Sequence, residues 1–379
     1  MTRRIRITYV IDVLDTDLAG TESQLIMLIN GLDKTRFEVR LLCFQDHPWF
    51  KAHRDSLECD TTIIEICQFK RLSTYRNILK LFGHFRRTRP DIVHTFFPVA
   101  NIFAVIAARL AGVRSVVSSR RDYGEWMTAR YLAFTKLANR FARRIVANSH
   151  SVKALTVEAE KVATDKVDVF YNGIDVTAFD DMNVNWELKQ RLNIPKQNKV
   201  VGIVANYRPM KRHDTFLLAA REVLRVRSDV DFLFVGGGGP TESDTVALGK
   251  SLGIAEKSHF VGSQTDIVSY LSIMDVGVNC SEREGLSNAV MEYMAAGVPS
   301  IVSQSGGNPD LITHQQHGLT FPIGDYRALA DGICTLLDNE KMREELRLAA
   351  KKRTRGELTV AAMLANYEKW YTAMIETTA

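Results

Sequence analysis

The sequence predicts a parallel α/β protein made of two Rossmann-like halves. Three observations carry this expectation. The chain has 379 residues, about twice the usual length of one domain. Short β-rich runs alternate with helical stretches throughout, the pattern of parallel α/β construction. The alternation pauses in a polar stretch, Asp180 to Asn198, and then begins afresh.

In the first half the expected strands are Arg6–Ile11, Val39–Phe44, Thr62–Ile66, Ile92–Thr95, Ser115–Ser118, Arg144–Asn148 and Val167–Tyr171. Helices such as Glu22–Leu32 and Asn101–Leu110 fall between them. An Asn-Gly turn at Asn172-Gly173 ends the last strand. The second half opens on a strand at Val200–Ala205, followed by a helix at Thr215–Arg227 and a strand at Asp231–Val235. After the tight turn Gly236–Gly239 come the strands Ser258–Phe260, Asp275–Asn279 and Ser300–Ser303; Asp325 to Thr378 reads as helical and charged. The expected domains are residues 1–175 and 196–355, facing each other across a crevice at the carboxyl ends of their strands, where ligands of such folds bind.

Composition excludes several classes. With 46% apolar and 25% charged residues the chain can bury a core, and 23 Gly with 9 Pro exclude global disorder and collagen-like structure. The five cysteines are scattered, odd in number and without a C-x-x-C pair, so a disulfide framework or cysteine zinc site is not expected and a cytoplasmic setting is. Asp12, Asp15 and Asp17 interrupt the first apolar stretch too early for a signal peptide. The run from Val99 to Leu110 holds Asn101 and Arg109 and is far short of the roughly 20 residues needed to span a bilayer.

The net charge of +5 conceals an asymmetry. Residues 1–170 hold 27 Lys and Arg against 18 Asp and Glu, or +9, leaving 22 against 26, or −4, for the rest. A basic first half suggests an anionic partner there. Phe69 to Arg89 carries seven cations and no acid, with Leu72, Tyr75, Ile78, Leu79, Phe82 and Phe85 at helical spacing. A helix on an anionic membrane surface and a crossover helix packed on the sheet both fit that stripe. Nucleic acid is not expected, since no aromatic-basic recognition motif occurs.

The most informative stretch runs from Ser281 to Pro299. Ser287 or Asn288 is a natural helix N-cap, and Gly297 with Pro299 is a helix stop. The unpaired N–H groups and positive dipole end at such a start suit a phosphate or diphosphate. Glu292 lies in a helix otherwise made of Ala, Val, Met and Tyr, pointing away from Val290, Tyr293 and Met294. Vicinal ribose hydroxyls would satisfy a carboxylate there; a surface position on an amphipathic helix also would. Glu284, ahead of the helix, can reach a bound sugar, with Glu282 as a competitor. Arg208 and Lys211, in the segment after the strand that opens the second half, can clamp a diphosphate or be ordinary surface charge. Gly20, after the first strand, permits close approach of a helix N-terminus. The turn Gly236–Gly239 lacks the full dinucleotide pattern, and no G-K-[ST] follows either Gly-rich turn. The acidic triplets Asp15-Thr16-Asp17 and Asp229-Val230-Asp231 are common by chance, and the nine histidines show no ligand spacing, so no metal site is expected.

These residues together resemble glycosyltransferase family 4, retaining enzymes of the GT-B fold, over nearly the whole chain. Glu284 to Glu292 looks like that family's E-x7-E motif, followed by Met-Ala-Ala-Gly-Val-Pro. Supporting matches are Pro90-Asp91-Ile92-Val93-His94, Ala147-Asn148-Ser149, Tyr171-Asn172-Gly173-Ile174-Asp175, Gly306-Gly307-Asn308-Pro309-Asp310 and His317-Gly318-Leu319.

The resemblance implies a nucleotide-sugar donor on the second domain and a glycan or lipid-linked acceptor on the first. Arg208, Lys211 and Glu284 would be catalytic. Gly20, Asn206, Gly285, Leu286, Ser287, Asn288 and Glu292 would bind the donor. Thr21, Glu22, Arg120 and Arg121 are offered to the acceptor or donor sugar, the last two where many members have a His. The last helix, with Trp370 and Tyr371, would return onto the first domain. The family's Gly-Gly-x-Glu is here Ala19-Gly20-Thr21-Glu22, and the Arg of its G-R-L segment is Asn206. No cofactor is implied. A GT-B-like epimerase and a non-catalytic sugar-nucleotide binder are the alternative activities.

Overall fold

The computed structural model describes residues 3–16, 20–66, 72–124 and 127–377. The chain divides into two compact units, residues 1–173 with 360–379 and residues 174–359. In the first, the strands are β1 (Ile5–Ile11), β2 (Phe37–Cys43), β3 (Asp60–Ile63), β4 (Ile92–Phe96), β5 (Ser115–Arg120), β6 (Arg144–Ala147) and β7 (Val167–Val169). They form one parallel sheet in the order β3-β2-β1-β4-β5-β6-β7. The helices are α1 (Gly20–Gly31), α2 (Pro48–His53), α3 (Leu72–Thr88), α4 (Pro98–Leu110), α5 (Ala129–Asn139) and α6 (His150–Glu160).

Both faces of this sheet are covered, so its strands are apolar on both sides, as parallel sheets require. Ile7, Tyr9 and Ile11 pack with Leu25, Leu28 and Ile29 of α1 on one face; Val10, Leu42 and Val93 pack with Leu81 and Phe85 of α3 and Ala104 and Val105 of α4 on the other. The strand expected at Thr62–Ile66 starts two residues earlier and stops at Ile63, because pairing with β2 ends at Cys43.

The second unit holds β8 (Lys199–Val204), β9 (Val230–Val235), β10 (Ser258–Phe260), β11 (Val276–Asn279), β12 (Ser300–Ser303) and β13 (Leu319–Phe321), parallel in the order β10-β9-β8-β11-β12-β13. Its helices are α7 (Trp186–Arg191), α8 (His213–Val226), α9 (Glu242–Ser251), α10 (Ile267–Ser272), α11 (Asn288–Ala296), α12 (Asn308–Leu311), α13 (Tyr326–Asp338) and α14 (Glu340–Glu357). The polar stretch expected to be a plain connector contains α7, whose Leu188 is buried with Leu233 and Tyr270. Its acids and amides hid two buried apolar anchors, Leu188 and Ile194. The three-residue strand β13 is another element that the alternation does not mark.

A final helix, α15 (Val360–Glu376), belongs to the first unit. Its Tyr367, Tyr371 and Met374 are buried against the sheet face that also carries α1. Tyr371 Oη lies 3.2 Å from Tyr9 Oη and 2.7 Å from Nδ1 of His94, whose Nε2 is 2.8 Å from Ser119 Oγ. Burial depresses the His94 pKa to about 3, so the imidazole is neutral and serves as a buried hydrogen-bonding bridge.

In each sheet the strand order reverses once, between β1 and β4 and between β8 and β11. The loops leaving the carboxyl ends of such strands frame the ligand site of doubly wound folds. In the second unit those loops are 205–212 and 280–287, which carry most of the donor residues expected from the sequence.

Candidate functional site

The second unit's site is built around α11. Ser287 is its N-cap, with Oγ accepting from the Val290 N–H at 3.3 Å, and Gly297 ends it in the left-handed region at φ 74°. Tyr293 fixes the helix on the sheet: its hydroxyl accepts from the Val204 N–H at 2.8 Å and donates to the Val278 carbonyl at 3.2 Å. Val290, Met291, Tyr293, Met294, Ala295 and Ala296 are all buried, while Asn288 at its first position and Glu292 in its interior are half-buried.

Among the described residues the Glu292 carboxylate has no hydrogen-bond or ionic partner. Burial raises its pKa to about 7. Ahead of it, Gly285, Leu286 and Ser287 are buried, and none of their N–H groups has a protein acceptor among the described residues. Unpaired amides at a helix start are an anion site in waiting.

Glu284 and Lys211, assigned from sequence to a sugar and a diphosphate, are joined in the structure. Lys211 Nζ donates to Glu284 Oε2 at 2.6 Å, and Ser281 Oγ donates to the same oxygen at 2.8 Å. Both partners of the ion pair are mostly buried. Glu282, the competing acid, faces Arg212 at 3.5 Å instead, and Arg212 is also paired with Asp214. The two loops are therefore cross-linked by two ion pairs and by the Glu282 N–H to Met210 carbonyl hydrogen bond of 2.8 Å. Asn206 and Arg208 are exposed on the same loop, and among the described residues neither side chain has a partner.

Sequence reasoning missed what holds Glu284 in place. Gly306 sits at φ 52°, and a Cβ there would lie 1.9 Å from the Glu284 carbonyl oxygen. Gly307 N–H donates to that oxygen at 2.9 Å. Buried Asn308 donates to Asn279 Oδ1 and the Ser303 carbonyl, both at 3.1 Å, tying the glycine turn to the strand ends. The Gly306-Gly307-Asn308 signal is visible in the sequence; its contact with Glu284, 22 residues earlier, is not.

In the first unit Gly20 opens α1, Thr21 is half-buried and Glu22 is buried. Leu18 and Ala19, expected to belong to that turn, lie outside the described residues, as do Asp17, Cys67 and Phe69–Arg71. Arg120 is not available to a ligand, contrary to expectation. Its Nε donates to Glu160 Oε1 at 2.6 Å, Nη1 to Ser118 Oγ at 2.5 Å, and Nη2 to Glu160 Oε2 and Asn139 Oδ1 at 2.8 and 3.0 Å. The pair is 3% and 0% exposed, so the guanidinium is spent inside the fold. Arg120→Ala is expected to cost about 3–5 kcal/mol by stranding Glu160; urea denaturation checks this, and an unchanged midpoint would contradict the assignment.

Arg121 lies past the strand end. It lines a narrow recess with Thr21, Phe97, Asn101, Ser119, Arg120 and Asp122. Its Nη2 donates to Asn172 Oδ1 at 2.5 Å, its Nε has no partner, and the charge of Glu22 acts on it. Thr21, Glu22 and Arg121 are thus brought together; Arg120 borders the same recess, but its guanidinium is taken up by Glu160, Ser118 and Asn139.

The family model described as glycosyl transferases group 1 matches residues 184–353, and the one described as glycosyltransferase family 4 matches residues 18–178. The chain is a family 4-type glycosyltransferase. Among relatives of this glycosyltransferase is the N-acetyl-alpha-D-glucosaminyl L-malate synthase of Bacillus anthracis, 28% identical over 60% of this chain and 58% of that one. Another is the UDP-Gal:alpha-D-GlcNAc-diphosphoundecaprenol alpha-1,3-galactosyltransferase of Escherichia coli, 23% identical over 85% and 86%. Among solved structures, Anabaena HepE in complex with UDP superposes with a TM-score of 0.86 at 20% identity, covering 97% of this chain and 100% of that one. The likeness establishes the two-domain GT-B architecture. The enzyme class is hexosyl transfer.

Proposed function

We propose that this glycosyltransferase moves a hexose, with retention of anomeric configuration, from a nucleoside-diphosphate sugar to a hydroxyl of a glycan or lipid-linked acceptor, as in cell-surface polysaccharide or lipopolysaccharide synthesis. The observation that carries the reading is the group of unpaired amides at Gly285, Leu286 and Ser287 beside the cationic loop of Arg208 and Lys211. The E. coli relative's name specifies a uridine donor and a diphospholipid acceptor, and the Anabaena neighbour holds UDP; both support a UDP-sugar here.

As the glycosidic bond to the diphosphate breaks, negative charge grows on the leaving phosphate. Fixed cations and a helix N-terminus aimed at it lower the barrier where that charge develops. They do the work that other transferases give to a metal, so the reaction is proposed to need none. The acceptor hydroxyl enters on the face from which the diphosphate leaves, which retains configuration without a covalent intermediate. Glu284 positions the donor sugar and Lys211 together, and Glu292 accepts hydrogen bonds from the ribose.

Transfer assays in EDTA with UDP-, GDP- and ADP-sugars, with the product anomer read by NMR, test this reading. Full loss in EDTA restored by Mg²⁺ or Mn²⁺, or an inverted product, would overturn it. Product formed without any acceptor would indicate an epimerase instead.

Glu292 adds a pH signature. Its folded pKa is raised, so the protonated form is favoured in the empty enzyme, and stability from this group is lost as pH rises from the ordinary carboxylate range through about 7. Ribose hydroxyls favour the ionised form, so donor binding releases a proton and tightens as pH rises from 6 to 8. Glu292→Gln is expected to flatten that pH dependence, measured by calorimetry of UDP binding.

A further inference from the structure

Strands β11 and β12 end in a buried polar network with a direction of its own. Asn279 closes β11 after the apolar Val276 and Val278 and is 4% exposed; Asn308, at the start of α12, is fully buried. Amides in so dry a place are costly unless their donors and acceptors are placed. Asn308 Nδ2 donates to the Ser303 carbonyl and to Asn279 Oδ1, both at 3.1 Å. Asn279 Oδ1 also accepts from the Ser281 N–H at 3.1 Å, and Asn279 Nδ2 donates to Ser287 Oγ at 3.1 Å.

Neither amide can turn over. A backbone carbonyl only accepts and a backbone N–H only donates, so Ser303 fixes Asn308 and Ser281 fixes Asn279. A reversed Asn279 would set its NH2 group against two donors. The direction thus passes unaltered to Ser287. A serine hydroxyl has two lone pairs and one proton. One lone pair takes the Val290 N–H at 3.3 Å, which caps α11, and the other takes Asn279 Nδ2. The proton is left over. Ser287 is 3% exposed, and among the described residues no group accepts from its hydroxyl. This unmet donor stands beside the unpaired amides of Gly285, Leu286 and Ser287 itself.

We infer that Asn279 is a positioning residue of the donor site: it fills the second lone pair of Ser287 Oγ and so commits the Ser287 proton to the diphosphate at the start of α11. The inference rests on the donor reading proposed above. A cap serine with a spare lone pair can turn its proton onto a neighbouring acceptor. Asn279 removes that freedom before the ligand arrives, and a donor already in place needs no reorganisation as charge grows on the leaving phosphate. The same amide holds the Ser281 N–H, whose residue donates through Oγ to Glu284. Asn279→Asp fits the same space and keeps an acceptor for that N–H. It reverses the last step, because an ionised carboxylate facing Ser287 takes the proton instead of filling the lone pair.

The test is calorimetry on the full chain with UDP, GDP and ADP and with the matching nucleosides, comparing wild type, Asn279→Asp, Ser287→Ala and the double variant. Each single substitution is expected to weaken binding of the preferred diphosphate by about 30-fold, the loss of one hydrogen bond to a charged group. Binding of the nucleoside, which has no phosphate, should stay unchanged. In the Ser287→Ala background Asn279→Asp is expected to add no more than about threefold, the share due to its charge. Equal costs of Asn279→Asp in both backgrounds, or a nucleoside affinity that falls together with that of the diphosphate, would mean that Asn279 acts through charge or through the fold, and would overturn the inference. Should Asn279→Asp not fold, Ser287→Ala alone decides, and a diphosphate affinity equal to wild type overturns it. A wild type that binds none of the three diphosphates sinks the donor reading and this inference with it; wild-type binding with silent variants sinks only this one.

Discussion

Replacing Lys211 with methionine is expected to lower kcat for sugar transfer by about 10²–10³-fold, while the KM for the donor changes little. The reason is where the charge acts. Lys211 sits at the loop facing the start of α11, held by Glu284 at 2.6 Å. In the proposed reaction a cation fixed there is preorganised for the charge on the departing diphosphate, and deleting one such group usually costs a few kcal/mol in the transition state and little in the ground state. Methionine keeps the stem packed, so loss of folding is not the cause of the effect. The substitution also leaves Glu284, mostly buried, with Ser281 as its side-chain donor. Arg208→Ala is expected to cost about 10²-fold for the same reason. Single-turnover kinetics on both variants check this, and wild-type turnover in either would remove the assigned role.

Gly306→Ala should be nearly as damaging, though Gly306 contributes no side chain. Its Cβ would fall 1.9 Å from the Glu284 carbonyl oxygen and 2.8 Å from the Glu284 backbone N and C. Backbone cannot yield as a flexible side chain can, so the Glu284 loop must move. A displacement of about 1 Å at a catalytic group can cost 10²-fold. Stability should fall as well, by several degrees in Tm, since a non-glycine at φ 52° adds strain of about 1–2 kcal/mol. Gly238→Ala is the control. Gly238 also has positive φ, at 70°, but a Cβ there meets nothing within 4 Å. It should show the strain in Tm and keep activity. If Gly306→Ala retained full turnover, the glycine turn would have no part in placing Glu284.

The parallel architecture and the α11 region were legible in the sequence because their signals are local. Alternating strands and helices, a serine N-cap, a Gly-Val-Pro stop and a lone acid in an apolar helix all lie within a dozen residues. What escaped was long-range. Arg120 and Arg121 are adjacent and chemically identical, yet one ends inside an ion pair with Glu160 and the other beyond the strand end beside Asn172. Only the register of β5 against its neighbours separates them, because successive strand residues face opposite sides. The pairing of Lys211 with Glu284 joins two loops 73 residues apart, and α7 was concealed because one buried leucine carries no periodicity.

The placement of α15 has a consequence for dissecting the molecule. Residues 174–359 form an unbroken length of chain, whereas the other unit is assembled from two pieces, residues 1–173 and 360–379. A fragment stopping at Gly173 would lack the plug that seats Tyr367, Tyr371 and Met374 and would present a greasy trough with His94 at its floor. The second unit can be excised and expressed as a single stretch. The first unit cannot, unless its two pieces are rejoined by permuting the order of the sequence.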